Sequence, residues 1–185
     1  MPAVAKTSDA EIVDAARVLI ERDGADSLSM QAVADAVGIR APSLYKRFED
    51  RAALLAAVEL EAFTSLTETL ERAAKTGNPT RDLTEMSRAY RRFAKLHPRL
   101  YEMLFSRPGA RGGDAERARQ DAARPVLERM AMLVGDKRAL ASSRVLTAFV
   151  HGFVSLENAD AFRLGDGVDD AYALGVATLL RSFGG

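Results

Sequence analysis

The chain has 185 residues, 26 Lys plus Arg against 26 Asp plus Glu, two His, no Cys and no Trp, a size for one domain or a small domain tied to a larger one. Zero cysteine excludes a disulfide scaffold, a thiol nucleophile and thiolate metal sites. A net charge of zero argues against a nonspecific polyanion binder, which works by displacing condensed counterions with Lys and Arg. No segment approaches the roughly 20 apolar residues of a membrane span, and Met1 to Ser8 has no apolar stretch behind Lys6; a cytoplasmic, full-length chain with no membrane partner is the expectation.

Ser8-Asp9-Ala10-Glu11 is a capping box, followed by Ile12, Ala15, Ala16, Leu19 and Ile20 at helical spacing and by Gly24 as a stop. Ser29 caps a second helix, Met30 to Val37, which Gly38 ends. A third helix of about two turns starts almost at once, with Pro42 in its first turn and Leu44 and Phe48 on one face, and closes before Glu49-Asp50. Asp50 caps a longer fourth helix through Leu55, Val58, Ala62, Phe63, Leu66 and Leu70, up to Gly77-Asn78-Pro79. Thr80 opens a fifth, ending near His97-Pro98, and a short sixth runs from Pro98 to Ser106. Arg107 to Gly113 reads as a mobile loop. The remaining helices are predicted at Asp114 to Val134, Asp136 to Phe162 and Val168 to Phe183. No stretch alternates with period two for long enough to be a strand, so the class is all-α, with about nine helices.

Between Ser29 and Phe48 two short helices are separated by Gly38-Ile39-Arg40, a connection short enough to force the sharp crossing of a helix-turn-helix. Ala32, Val33, Ala36, Val37, Ile39, Leu44 and Phe48 are expected against the first helix. That leaves Arg40, Ala41, Ser43, Tyr45, Lys46 and Arg47 outward, the layout of a recognition helix that offers short, hydrogen-bonding and cationic side chains to a groove. Charge supports this locally: residues 1–60 hold 7 basic and 10 acidic side chains, but Arg40, Lys46, Arg47 and Arg51 fall within twelve positions.

On these residues the chain resembles the TetR family of one-component transcriptional regulators. The family's N-terminal pattern is matched by Ser29 to Ala34, by Val37-Gly38-Ile39-Arg40-Ala41-Pro42-Ser43-Leu44-Tyr45-Lys46-Arg47-Phe48, and by Arg51 to Leu55. Leu96 to Phe105 and Phe149-Val150-His151-Gly152 are similar to the marker segments of a subgroup named for a Trp-His-Gly signature, with Phe149 near the place of the Trp. The resemblance implies an N-terminal helix-turn-helix domain at residues 1–50. It also implies an effector-binding and dimerisation domain at 51–185, and a palindromic double-stranded DNA operator.

Two departures stand out. Arg40 replaces the usual Ser that caps the third helix and Pro42 the common Gly, so a capping bond is lost while proline pre-sets φ. Arg40 is then available to DNA, either at a guanine edge or at a phosphate. Tyr45 resembles the family's phosphate-contacting tyrosine. Ser29, Lys46 and Arg51 are expected at the DNA backbone, where contacts position the protein without reading sequence. Ser43 is a candidate base contact, and Arg47 is expected as a solvated charge or a partner of Glu49.

The last two helices are apolar on two sides: Val145, Leu146, Ala148, Phe149, Val150, Phe153, Val154 and Leu156 in one, Tyr172, Leu174, Val176, Ala177, Leu179 and Leu180 in the other. A helix apolar on two sides must bury both, one on its own core and one on a second copy, which gives an isologous homodimer through helices at about 136–162 and 168–183. The resemblance implies a small-molecule effector pocket, for which Phe63, Met86, Tyr90, Tyr101, Phe105, Met130, Phe149 and His151 are candidates. Core packing is the ordinary role of such residues. An enzyme built on a helical bundle would need a catalytic constellation. The chain has no Glu-x-x-His pair, no His-Glu-x-x-His, no phosphate-cradling Gly-Lys loop and no Gly-x-Ser-x-Gly. No catalytic residue, metal site or cofactor is expected. A DNA-free adaptor that uses the helix-turn-helix as an interaction corner is the third reading.

Overall fold

Ser8 opens the first helix with both halves of a capping box: its side chain accepts the Glu11 N–H at 3.2 Å, and the Glu11 carboxylate accepts the Ser8 N–H at 2.6 Å. Such reciprocal caps satisfy two orphan donors at once. The computed structural model describes residues 7–106 and 113–184, and among them it contains nine α-helices and no strand, the all-α fold expected. The helices are α1 (Asp9–Asp23), α2 (Met30–Ala36), α3 (Ala41–Tyr45), α4 (Arg51–Ala73), α5 (Pro79–Leu96), α6 (Pro98–Ser106), α7 (Gly113–Val134), α8 (Asp136–Asn158) and α9 (Val168–Gly184), with a 3₁₀ turn at Ala25–Ser27. The expected loop of Arg107 to Gly113 lies outside the described residues except for Gly113, which begins α7.

The chain divides into two compact units, Met1–Thr64 with His97–Arg119, and Ser65–Leu96 with Gln120–Gly185. In the first, α1 packs on α2 and on α6, and α2 packs on α3. Ile12, Ala16 and Ile20, four residues apart on one face of α1, are fully buried with Val33, Ala34, Leu44, Leu54 and Val58. Ala36, expected in this core, is exposed, and Ala34 is buried instead. The inward face of α2 is set by Met30, Val33 and Ala34, positions three and four apart. Glu21, near the end of α1, accepts the N–H of Arg99 at 3.0 Å and of Leu100 at 3.2 Å, capping α6 from another helix.

In the second unit α5, α8 and α9 pack on one another. Arg91 of α5 makes a two-pronged contact with Glu157 of α8 at 2.7 Å for each bond and reaches Asp169 of α9 at 2.6 Å, while its guanidinium lies 4.8 Å from the Tyr172 ring centre. These hydrogen bonds, Glu157's foremost, raise the Arg91 pKa, and Arg91 in turn holds the Glu157 carboxyl below its usual range. The Tyr172 hydroxyl donates to the Ser87 carbonyl at 2.6 Å. At the α4–α5 turn, the Asp82 carboxylate is wholly buried and accepts from Thr76 N and Oγ1, Gly77 N and Arg129 Nε.

Two sequence expectations for α8 are corrected. The helix ends at Asn158, before Phe162. Asp160 takes a left-handed φ of 52°, and the bonds Ala161 N to Leu156 O (2.9 Å) and Asp160 N to Glu157 O (3.0 Å) close the end. This is the usual left-handed helix stop, with Asp in the place where glycine is the common signal. In addition, α8 is long and apolar enough, by length and composition, to cross a membrane. Its apolar residues continue onto a second side: Val145 is 48% exposed and Leu156 50%.

Candidate nucleic-acid interface

The geometry of the reading head follows from its caps. Ser29 Oγ accepts the Ala32 N–H at 3.1 Å and fixes the start of α2. At its other end Gly38 adopts φ 72°, and Ile39 N donates to Ala34 O at 2.9 Å while Gly38 N donates to Asp35 O at 3.2 Å. A left-handed residue is needed for that closure, and glycine supplies it without a steric penalty. The chain turns straight into α3, whose N-cap Arg40 makes no side-chain capping bond and whose first turn contains Pro42. Helical hydrogen bonding runs past Tyr45, since Phe48 N donates to Leu44 O at 3.0 Å, which restores the two turns expected.

Leu44 is fully buried and anchors α3 to the core. Around it Arg40, Ser43, Tyr45 and Lys46 are exposed, as is Ser29 at the head of α2, and Ala41 is half-buried. Tyr45 is 51% exposed, so its hydroxyl is offered to solvent rather than to the core. The structure therefore brings five polar side chains onto the surface of one short helix pair: a guanidinium, an ammonium, a phenol and two hydroxyls. Such a set suits phosphate oxygens and base edges.

Two arginines from the same basic run are turned inward. Arg47 donates to the Thr7 carbonyl and pairs with the Asp9 carboxylate at 3.1 Å, not with Glu49. Arg51 donates from Nε to the Leu28 carbonyl at 2.7 Å and from Nη2 to the Ala25 carbonyl. The nearest of these partners is 23 residues away, so no local pattern announces them.

The effector candidates fall in both units. In the first, Phe63 meets Phe105 edge-on with ring centres 6.1 Å apart, and Tyr101 lies 4.8 Å from Phe105. Arg119 stands 5.4 Å over the Phe63 ring and is paired with Glu59. In the second, Met86, Tyr90 and Met130 are buried, and Phe149 packs on Phe153 and Tyr172. His151 is half-buried, and burial lowers its pKa. A further cleft of about 190 Å³ lies in the first unit, with Asp23, Asp26, Arg99, Glu102 and Met103 among its lining; none of these was a sequence candidate. Its walls come from the end of α1, the 3₁₀ turn that follows it and α6, which no sequence spacing relates.

Against known proteins, residues 12–58 match the family model described as bacterial regulatory proteins, tetR family, and residues 83–179 match the Tetracyclin repressor-like C-terminal domain. The chain is 32% identical over 157 residues to the uncharacterized HTH-type transcriptional regulator Rv0681 of Mycobacterium tuberculosis, spanning 83% of this chain and 71% of the relative. It superposes on a protein of unknown function from Rhodococcus sp. RHA1 with a TM-score of 0.88 at 25% identity, covering 100% of both chains. A TetR variant from Acinetobacter baumannii AYE, solved in complex with minocycline, gives a TM-score of 0.71 at 25% identity over 96% of this chain and 97% of that one.

The fold, the exposed reading head and these matches define a helix-turn-helix transcriptional regulator, not an enzyme. The chain belongs to the TetR family.

Proposed function

We propose that the chain is a dimeric, ligand-responsive repressor that acts in the cytoplasm and is released from a palindromic operator by a small, mainly apolar effector. The observation that carries this reading is the joint exposure of Arg40, Ser43, Tyr45 and Lys46 on α3 beside Ser29 of α2. Residues 1–50 form its DNA-binding domain. Tyr45, Lys46 and Ser29 hold the DNA backbone, Ser43 faces a base edge, Arg40 meets either a guanine edge or a phosphate, and Ala41 lets the helix approach closely. Arg51 leaves this set because its guanidinium is committed to two carbonyls.

Residues 51–185 carry effector binding and dimerisation. Ala141, Val145, Ala148 and Leu156 are exposed on α8, and Leu174 is 65% exposed on α9. Apolar surface at helical spacing on two neighbouring helices is buried most simply by the same surface of a second copy. A two-fold protein then asks for half-sites about one helical turn apart, roughly 34–36 Å. The candidates for effector contact remain Phe63, Tyr101 and Phe105 in one unit and, taken separately, Met86, Tyr90, Met130, Phe149 and His151 in the other. The minocycline complex of a relative is consistent with a small-molecule ligand. A coupling of ~1–3 kcal/mol between effector and operator would lower operator affinity roughly 5- to 150-fold.

The test is selection of bound fragments from a randomised duplex pool, followed by affinity for the winner against salt. A palindrome bound by a dimer, with affinity falling steeply as salt rises, is the expected result. No enriched sequence, together with negligible binding at low salt, would overturn the reading in favour of a DNA-free adaptor.

A further inference from the structure

Arg51 is the first residue of α4 and belongs to the basic run of which Arg40 and Lys46 are exposed. It is half-buried, and its Nε and Nη2 donate to the carbonyls of Leu28 and Ala25 respectively. Both acceptors lie in the segment that joins α1 to α2. Leu28 immediately precedes Ser29, the residue that caps α2, and the Ala25 carbonyl also accepts the Leu28 N–H at 3.3 Å. A planar guanidinium presents parallel donors along one edge and can grip two carbonyls in a fixed orientation; an ammonium is a point donor without that fork.

We infer that Arg51 is a positioning residue for DNA binding rather than a phosphate contact: it fastens the start of α2 to the start of α4 and thereby fixes the pose of the α2–α3 pair. The inference rests on the reading of that pair as the DNA-contacting face. Its consequence is that a displacement of the first turn of α4 is passed directly to the Ser29 cap, because the link is one side chain long. Asp50 strengthens the α4 end of the link by accepting the Ala53 N–H at 2.8 Å, so the first turn of α4 is itself held.

The experiment measures affinity for the duplex recovered in the selection above, across a salt series, for the wild-type protein and for Arg51→Met, Arg51→Lys and Lys46→Ala. A lost phosphate contact flattens the plot of log K against log salt by about 0.9 per phosphate. Lys46→Ala is expected to do so. Arg51→Met is expected to weaken binding about tenfold at every salt concentration with an unchanged slope. Arg51→Lys, which keeps the charge and loses the fork, is expected to fall short of wild-type affinity. Amide hydrogen exchange should quicken between Ala25 and Ala34 in both Arg51 variants while α5, α8 and α9 keep their protection. A slope lowered by Arg51→Met as by Lys46→Ala, with Arg51→Lys restoring wild-type binding, would overturn the inference and leave the DNA reading standing. Unchanged exchange between Ala25 and Ala34 would overturn it too. Failure of the wild-type protein to select any duplex would remove the DNA reading itself, and the inference with it.

Discussion

The ring of Phe149 on α8 lies against Gly175 on α9: a Cβ placed on that glycine would stand 2.1 Å from Cζ and 2.6 Å from Cε2 of the ring. The hydrogen of glycine is therefore what lets the two helices approach while Phe149 keeps its contacts with Phe153 and Tyr172, at 5.8 and 6.1 Å between ring centres. Gly175→Ala forces the ring to move and is expected to cost about 1–3 kcal/mol, read as a lowered urea midpoint. In a Phe149→Leu background the same substitution should cost much less, because the clashing atoms are gone. Equal costs in the two backgrounds would show that the ring is not the obstacle.

Arg40 and Tyr45 have exposed side chains and sit on a helix anchored by Leu44. Arg40→Ala and Tyr45→Phe are expected to weaken operator binding and to leave the thermal midpoint and the dimer mass unchanged. If Arg40 reads a guanine edge, its removal costs about 1–3 kcal/mol and relaxes selectivity at one base pair. If it holds a phosphate, the loss is uniform across sequences and the salt slope falls by about one. Full operator affinity in both variants would defeat the assignment of α3.

Glu21 caps α6 from α1 through the N–H groups of Arg99 and Leu100. Glu21→Ala leaves those donors without their acceptor and is expected to cost about 1 kcal/mol, within the range of lost N-caps. Faster amide exchange confined to Arg99 and Leu100 is the local signature. Protection unchanged at both amides would show that the cap is not formed in solution.

Asp82 ties acid stability to the α4–α5 turn. Burial disfavours its charged form, but hydrogen bonds from Thr76, Arg129 and Gly77 outweigh that and hold its pKa below the ordinary aspartate value of 3.8. A depressed folded-state pKa contributes stability that is fully present above 3.8 and is lost as pH falls through the folded value. Asp82→Asn is expected to destabilise the protein at neutral pH by about 2 kcal/mol, since donors in the turn lose a charged acceptor. The same variant should flatten the loss of stability expected of the wild type below pH 3.8. Parallel acid-unfolding curves for the two proteins would assign the acid response to other carboxylates.

In solution, the exposed faces of α8 and α9 should keep two copies together. Leu174→Asp, at a position 65% exposed, costs the isolated chain little and places a charge inside the proposed interface. Sedimentation is expected to return a monomer for this variant at concentrations where the wild type is a dimer. A dimer of unchanged stability would move the interface elsewhere.

Helix boundaries in this protein are written in the sequence because their causes are local. Ser8 with Glu11, Ser29 with Ala32 and Asp50 with Ala53 are bonds across three residues, and Gly38 supplies its left-handed turn alone. The reading head was legible for the same reason: Leu44 buried and Arg40, Ser43, Tyr45 and Lys46 exposed follow from helical spacing. Two helices end short of the expected stop: α4 at Ala73, before Gly77, and α8 at Asn158, where Asp160 takes a role that glycine signals more plainly.

The helices, the caps at Ser8, Ser29 and Asp50, the helix-turn-helix and the face of α3 turned to solvent were all readable along the chain, since each depends on contacts within a few residues. The destinations of the Arg47 and Arg51 charges, the Glu21 cap on α6 and the packing of Phe149 against Gly175 came instead from the way the helices fold together. Those partners lie between 23 and 79 residues apart. A contact across such a span depends on how helices cross, and no periodicity along the chain carries that information.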